Sequence, residues 1–234
     1  MLVGADVKSL EIYTAAFLSQ DPVMMQELID GVDMHERNRA DFDLPTRLIA
    51  KVLGFRILYG GSAYSFINDP DFMVVSKNQA YWQNAIDKYY AKYQGLQDWH
   101  NRIQEEVLRT KQLTMPTGRV YHFDMYKTEK GDYKWPTTNI KNYPVQGTGS
   151  DLVAIYRVSL YNRIKKAGLS SKLLATVHDS VLLDSPDNEV SAVVEMLHSV
   201  ANDVPKNFQK LFGVEYNLPF LVECEVGNNY LNME

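Results

Sequence analysis

Residues Leu44 to Gly60 read LPTRLIAKVLGFRILYG. Leu, Ile and Val at helical spacing predict an α-helix. Pro45 suits its first turn, because the ring fixes φ and needs no donor there, and Gly60 and Gly61 suit its end by allowing positive φ. Arg47, Lys51, Phe55 and Tyr59 recur every fourth residue. Residues four apart on an α-helix stand above one another, so the two cations, the Phe and the Tyr form one slowly drifting stripe. Such a stripe suits a nucleotide, with phosphates at the cationic end and bases stacked at the aromatic end. The plain alternative is a packing helix with Arg47 and Lys51 at its solvent boundary and Phe55 and Tyr59 in the core.

The surrounding composition sets limits. The chain has 234 residues, 45% of them apolar, enough for one large domain or two closely joined lobes. Nine Met and fifteen Tyr fit irregular packing and amphipathic surfaces. With 24 basic and 29 acidic side chains the net charge is -5, which disfavours tight binding to a polyanion by the chain alone. A nucleic-acid enzyme with this balance needs local basic patches or a partner that holds the duplex. The single Cys224 excludes an internal disulfide framework and a thiol-rich zinc site; beside Leu221, Val222 and Val226 it predicts a strand position in a reducing compartment. No apolar run reaches membrane-spanning length, and MLVGADVKS lacks a secretory apolar stretch, so a soluble intracellular protein without a membrane partner is expected.

On the N-terminal side, Leu2 to Val7 predicts a short buried strand with Asp6 close to its end, followed by a helix over LEIYTAAFL. Asp21 and Pro22 start the next helix, PVMMQELI, which Gly31 ends. His35 reads as a local hydrogen-bonding residue, since no second His lies at ligand spacing. Beyond Gly61, a loop leads to a helix capped by Ser76, with Gln79 in the capping-box position and an aromatic face that includes Trp82 and Tyr89. A break at Gly95 separates it from an amphipathic helix bearing Leu96, Trp99, Ile103 and Val107. Thr117, Gly118 and Arg119 mark a change to extended structure; Arg119 suits a phosphate or an acidic side chain equally. Tyr126 to Trp135 predicts an exposed hairpin or a variable loop.

NYPVQGTGSDLV marks the start of another helix, with Val153, Tyr156, Leu160 and Ile164 buried and Gly168 as its stop. The amides of Asn142 and Gln146 suit minor-groove base edges, and a turn-capping Asn142 is the plain alternative. KLLATVHDSVLLD, Lys172 to Asp184, predicts a strand, tight turn and strand with His178 and Asp179 at the apex. A helix over about Asn188 to Val204 and a final strand in PFLVECEVG complete the chain. If the Asp6 and Asp179 strands are neighbours, the two carboxylates suit Mg2+, a hard cation that keeps waters and takes further ligands from substrate phosphates, and the chemistry is phosphoryl transfer. Each Asp taken singly also suits a helix cap or a turn.

These stretches together resemble DNA polymerase family A, the DNA polymerase I family, in its palm and fingers. The resemblance is carried by DVKSLEIY at Asp6 to Tyr13, RLIAKVLGFRILYG at Arg47 to Gly60 and VHDS at Val177 to Ser180. TGR at Thr117 to Arg119, NYPVQGTGSD at Asn142 to Asp151 and EVGNNY near the end add to it, all in the family's order. The resemblance implies an α+β fold, a palm with an antiparallel sheet and helical fingers, divided as 1–35 palm, 36–115 fingers and 116–234 palm. It implies a DNA-directed DNA polymerase using primer–template DNA, dNTP and two Mg2+ ions, for which Mn2+ can substitute. Asp6, Asp179 and the carbonyl of Val7 are then the metal ligands. Arg47, Lys51 and His35 meet the triphosphate, and Lys51 donates a proton to pyrophosphate. Phe55 stacks near sugar and base, Tyr59 lies by the templating base, and Glu11 is the steric gate against a ribose 2′-hydroxyl. Arg119, Asn142, Gln146 and His178 hold primer and template.

The chain departs from the family pattern at Ser180, where a second acid is frequent, and at Val7, Tyr13, Gly54, Arg56 and Thr138. No thumb, first palm segment or exonuclease domain precedes Asp6, so a bacteriophage split-polymerase subunit or a C-terminal fragment is expected, completed by a second polypeptide and located in the cytoplasm of a bacterial host. Two other readings stay open. One is a nuclease or another nucleotidyltransferase; the other is a catalytically weak DNA-binding or replisome assembly subunit.

Overall fold

The computed structural model describes residues 1–233. Strand β1 (Leu2–Val7) leads into helices α1 (Leu10–Ser19), α2 (Pro22–Ile29), α3 (Met34–Asp41) and α4 (Arg47–Leu58). Short helices α5 (Ala63–Ile67) and α6 (Pro70–Met73) precede α7 (Gln79–Lys92) and α8 (Gln94–Thr110). Two small hairpins follow, β2 (Gln112–Thr114) with β3 (Val120–His122), and β4 (Tyr126–Lys127) with β5 (Tyr133–Lys134). Then come α9 (Thr137–Ala167), β6 (Lys172–Val177), β7 (Ser180–Asp184), α10 (Val190–Phe212) and β8 (Val222–Gly227).

The chain divides into two compact units. One holds Met1–Thr14, Pro116–Gly118 and the chain from Gln146 onward; the other holds Ala15–Met115 and Arg119–Val145. The unit boundaries fall inside α1 and α9, where nothing in the local pattern of residues changes.

In the first unit the strands are ordered β6-β7-β1-β8, with antiparallel neighbours throughout. A strand paired on both edges must be apolar, and Val3, Ala5 and Val7 of β1 are 0%, 1% and 3% exposed. Helix α10 buries Val193, Leu197, Val200, Val204 and Phe208, a 3.6-residue stripe. Tyr156 of α9 is fully buried; its hydroxyl donates to the Leu197 carbonyl at 3.2 Å and its ring lies 5.4 Å from that of Phe220. Burying the ring while pairing the hydroxyl avoids the cost of a stranded polar group.

The second unit is mostly helical. Trp82, Phe66 and Phe72 pack with ring centroids 4.7 to 5.4 Å apart, and Arg56 pairs with Asp69 while its guanidinium lies 4.6 Å from the Phe72 centroid. Asp21 is buried because it serves two helices: it accepts from Met24 N–H at 2.8 Å, capping α2, and from Leu96 N–H at 3.3 Å in the first turn of α8. Lys92 reaches Glu27, Asp41 and Asn38 at 2.8, 2.9 and 2.8 Å, joining α7 to α2 and α3.

Several local expectations change. Thr46, not Pro45, opens α4; its hydroxyl accepts from Ile49 N–H, and Pro45 precedes the cap. Asn78, not Ser76, caps α7, while Ser76 accepts from Asn78 N–H. Gly95 lies within the first turn of α8 and is needed for close packing, since a Cβ there would stand 2.7 Å from Asp21 Cα. Helix α9 begins at Thr137 and carries Pro144 in its interior, and α10 runs past Pro205 to Phe212 because Phe208 fills the core. No helix among the described residues is long and apolar enough to cross a membrane.

Candidate active site

In the sheet-bearing unit, Asp6 is the fifth residue of β1 and pairs directly with Ser180 of β7 on one side and Glu223 of β8 on the other. Val7 N–H donates to the Asp179 carbonyl at 3.1 Å, which extends the β1–β7 ladder into the turn. That turn consists of His178 and Asp179 alone; His178 takes φ +54°, and the Ser180 hydroxyl donates to the Val177 carbonyl at 2.9 Å. The tight turn therefore holds Asp179 beside the end of β1, as the apex reading expected.

The electrostatics agree with this proximity. Burial, then Asp179, Glu225 and Glu223, push the Asp6 carboxyl above its ordinary value. Direct strand partners share a face of the sheet, so Glu223 and, two residues on, Glu225 face the same way as Asp6. Lys8 lies 3.6 Å from Glu223 and relieves part of the repulsion. Among the described residues no group of three or more His, Cys, Asp or Glu is arranged to hold a metal by itself. The repelling carboxylates Asp6 and Asp179 fit a hard divalent cation that completes its shell with water and phosphate oxygens, with the Val7 carbonyl one residue away.

Glu11 stands in the first turn of α1 and accepts a hydrogen bond from the Gln146 side chain. Gly149 allows α1 and α9 to approach this closely, since a Cβ there would lie 3.3 Å from Leu10. The Thr117 hydroxyl donates to Asp151 at 2.8 Å, tying the TGR turn to α9, a link no local pattern announced. His178 is exposed at the turn.

In the helical unit the α4 stripe faces outward. Arg47 and Lys51 are exposed and Phe55 and Tyr59 half-buried, while Ala50, Leu53, Ile57 and Leu58 fill the core. Phe55 and Tyr59 thus stand between the core and the surface, with Phe55 against the His35 ring. Tyr59 is the C-cap residue, and Gly60 at φ +79° turns the chain away. Arg47 Nε donates to Asp33 at 2.7 Å, and Asp33 also caps α3 through the N–H groups of His35 and Glu36. The His35 ring lies 5.9 Å from Phe55. Burial, then Arg47, with Lys51 adding and Asp33 opposing, hold His35 below its usual value. His35, Arg47, Lys51 and Phe55 thus form one neighbourhood rich in donors.

Arg119 is exposed in the β2–β3 turn, where its carbonyl accepts from Met115 N–H at 2.8 Å. Asn142 is half-buried and its side-chain oxygen has no protein partner among the described residues. Two features of this unit went unseen in the sequence: Asp33, which joins Arg47 to α3, and Lys141, whose stem would lie 3.0 Å from a Cβ at Gly60. Burial lowers the Lys141 pKa. Asp33 had a readable signal, an acid just before a helix start; Lys141 had none.

The sheet-bearing unit and the helical unit make this an α+β protein. The fold is similar to the POL domain of Pol1 from M. smegmatis in complex with DNA primer-template and dNTP: TM-score 0.80, 19% identity, 97% of this chain and 39% of that one. The chain belongs to DNA polymerase family A, whose description matches residues 1–232. DNA polymerase I of Caldicellulosiruptor bescii is 24% identical over 98% of this chain, the DNA polymerase of Bacillus phage SP01 24% over 98%, and the thermostable DNA polymerase I of Thermus aquaticus 26% over 99%. This chain covers 26%, 26% and 27% of those proteins, so it spans about a quarter of the length of these curated relatives.

Proposed function

We propose that this chain carries the nucleotidyl-transfer centre of a template-directed DNA polymerase. The primer 3′-hydroxyl attacks the α-phosphate of a deoxynucleoside triphosphate, a new O–P bond forms, the bond between α- and β-phosphates breaks, and pyrophosphate leaves. The observation that carries this reading is the Val7 N–H to Asp179 carbonyl bond at 3.1 Å, which brings the two aspartates to adjoining chain segments. Asp6, Asp179 and the Val7 carbonyl would hold Mg2+, or Mn2+ in its place; two such ions, when bound, would acidify the attacking hydroxyl and stabilise charge on the leaving oxygens.

The remaining roles belong to the chain's own groups. Arg47, Lys51 and His35 bind the triphosphate, and Lys51 gives a proton to the departing pyrophosphate. Phe55 stacks on the incoming nucleotide, and Tyr59 sits by the templating base. Glu11, oriented by Gln146, leaves no space for a ribose 2′-hydroxyl. Arg119, Asn142, Gln146 and His178 grip primer and template, the two amides being of the kind that suits base edges. Base pairing selects the nucleotide while the protein enforces alignment.

In this reading the sheet-bearing unit acts as palm and the helical unit as fingers. The working enzyme in this reading also includes a thumb and further palm. We assign these, with any exonuclease, to a second polypeptide, acting in the cytoplasm of a phage-infected bacterium. The test is single-turnover primer extension with Mg2+, with and without that polypeptide. Asp179→Asn is expected to slow extension by roughly 10³-fold or more, the scale of several kcal/mol of charge stabilisation. Extension by the variant at the wild-type rate refutes the assignment.

A further inference from the structure

The helical unit contains a cavity of about 500 Å³ between the β4–β5 hairpin and the first turns of α9. We propose that it holds one unpaired nucleotide of a single-stranded DNA segment. The inference rests on the reading of the chain as a DNA-handling enzyme and goes beyond it, because none of Arg119, Asn142, Gln146 or His178 lines this cavity.

Its walls combine one buried aromatic ring with two exposed ones. Phe123 is 3% exposed and stacks with Tyr143, with centroids 6.0 Å apart and planes at 27°. Tyr143 and Tyr126, which also line the cavity, remain 43% and 51% exposed. Aromatic side chains that served packing alone would be covered; here two tyrosine rings stay wet beside a space within the range of small-molecule sites. Tyr143 already faces Phe123 and Tyr121, so it is Tyr126 to which a nucleobase offers a flat partner, and stacking accepts any base.

The polar lining suits a base edge better than a phosphate. Asp124 offers an acceptor to an exocyclic amine and repels anions, and Thr137 and Asn139 can donate or accept. Asn139 Nδ2 already donates to the Tyr143 hydroxyl at 3.3 Å, which leaves its oxygen to face a ligand donor. The phosphate is met outside. Tyr126 is the direct cross-strand partner of Lys134, so that lysine shares the face of the hairpin on which Tyr126 stands. A base inside and its phosphate against Lys134 require a strand whose bases are free to turn outward. A paired duplex does not offer them.

The test is fluorescence anisotropy of the full chain titrated against labelled oligothymidylate and, separately, a blunt duplex. Tyr126→Ala alters an exposed hairpin side chain and is expected to weaken oligothymidylate binding roughly 5- to 100-fold, the range for one lost stacking contact, with duplex affinity unchanged. Lys134→Ala is expected to flatten the salt dependence of single-strand binding. A strand containing 2-aminopurine should lose emission on binding the wild type and keep it with Tyr126→Ala. Unchanged single-strand affinity in Tyr126→Ala, equal losses for both DNA forms, or no oligothymidylate binding by the wild type overturns the proposal. Primer extension separates the two readings: normal extension with an inert Tyr126→Ala refutes the cavity alone, whereas a stacking loss in a chain that extends no primer with its partner refutes the polymerase reading alone.

Discussion

Asp6→Asn removes one charge from a crowded group of acids and keeps the shape of the side chain. Residues directly opposed on paired strands have Cβ atoms about 5 Å apart, and diagonal neighbours about 7–8 Å. Glu223 is directly opposed to Asp6; Glu225 stands two residues further along β8, and Asp179 one residue before the direct β7 partner Ser180. Asp6 reaches solvent but is partly buried, and at the dielectric of water like charges cost roughly 0.8 kcal/mol at about 5 Å and roughly 0.5 kcal/mol at about 8 Å. Screening near physiological salt roughly halves the sum, and the Lys8–Glu223 pair removes a little more, leaving about 0.5–1 kcal/mol. Since the folded state raises the Asp6 pKa above 3.8, its ionised form opposes folding. Wild-type stability is undiminished below that value and is lost as pH rises through the folded one.

Asp6→Asn is therefore expected to be the more stable chain at about pH 7 and equal to the wild type at about pH 3. Cys224, the single cysteine, reports this locally, because it lies half-buried in β8 opposite Ala5 and burial pushes its thiol up to about 11. Its labelling rate in a urea series, with an aromatic disulfide that reacts in acid as well as at neutral pH, reads the opening of the sheet. Added Mg2+ should protect the wild type more than the variant. A variant less protected than wild type near neutrality, or a difference that persists in acid, would refute the account of Asp6.

The His35 imidazole is expected to titrate below the ordinary histidine value in NMR spectra of the free chain, and to move up when tripolyphosphate binds. Its depressed value subtracts stability as pH falls below the ordinary histidine range, and tripolyphosphate should bind more tightly over that same interval; a midpoint indifferent to the anion would remove His35 from the phosphate site. Gly95→Ala forces a Cβ to within 2.7 Å of Asp21 Cα and should cost about 1–3 kcal/mol. Tryptophan emission in urea measures this, since Trp82, Trp99 and Trp135 all belong to the helical unit; an unchanged midpoint would mean that α2 and α8 yield easily.

Much of the fold was legible because periodicity encodes it. The 172–184 hairpin, the α8 stripe of Leu96, Trp99, Ile103 and Val107, and the buried β1 were all readable from residue spacing. What escaped was decided by contacts distant in sequence. Gly95 reads as a break until Asp21 is known to press on it, and Pro144 and Pro205 read as helix boundaries until the packing of the surrounding turns outweighs one lost hydrogen bond each. The acidic surroundings of Asp6 were half visible: alternation in VECEV puts Glu223 and Glu225 on one face, but only strand pairing reveals that Asp6 shares it. Asp33 behind Arg47 and Gln146 behind Glu11 needed the three-dimensional structure.

The strand order also governs how a nascent chain acquires this shape. β1 leaves the ribosome long before its two neighbours, residues 180–184 and 222–227, so it waits for both to be synthesised. At about 5–20 residues per second that interval is roughly 10–40 s, during which the helical segment, whose contacts are closer in sequence, can already condense. A newborn Leu2–Val7 segment spends those seconds as an apolar ribbon with both hydrogen-bonding edges open, a natural client for a ribosome-bound chaperone.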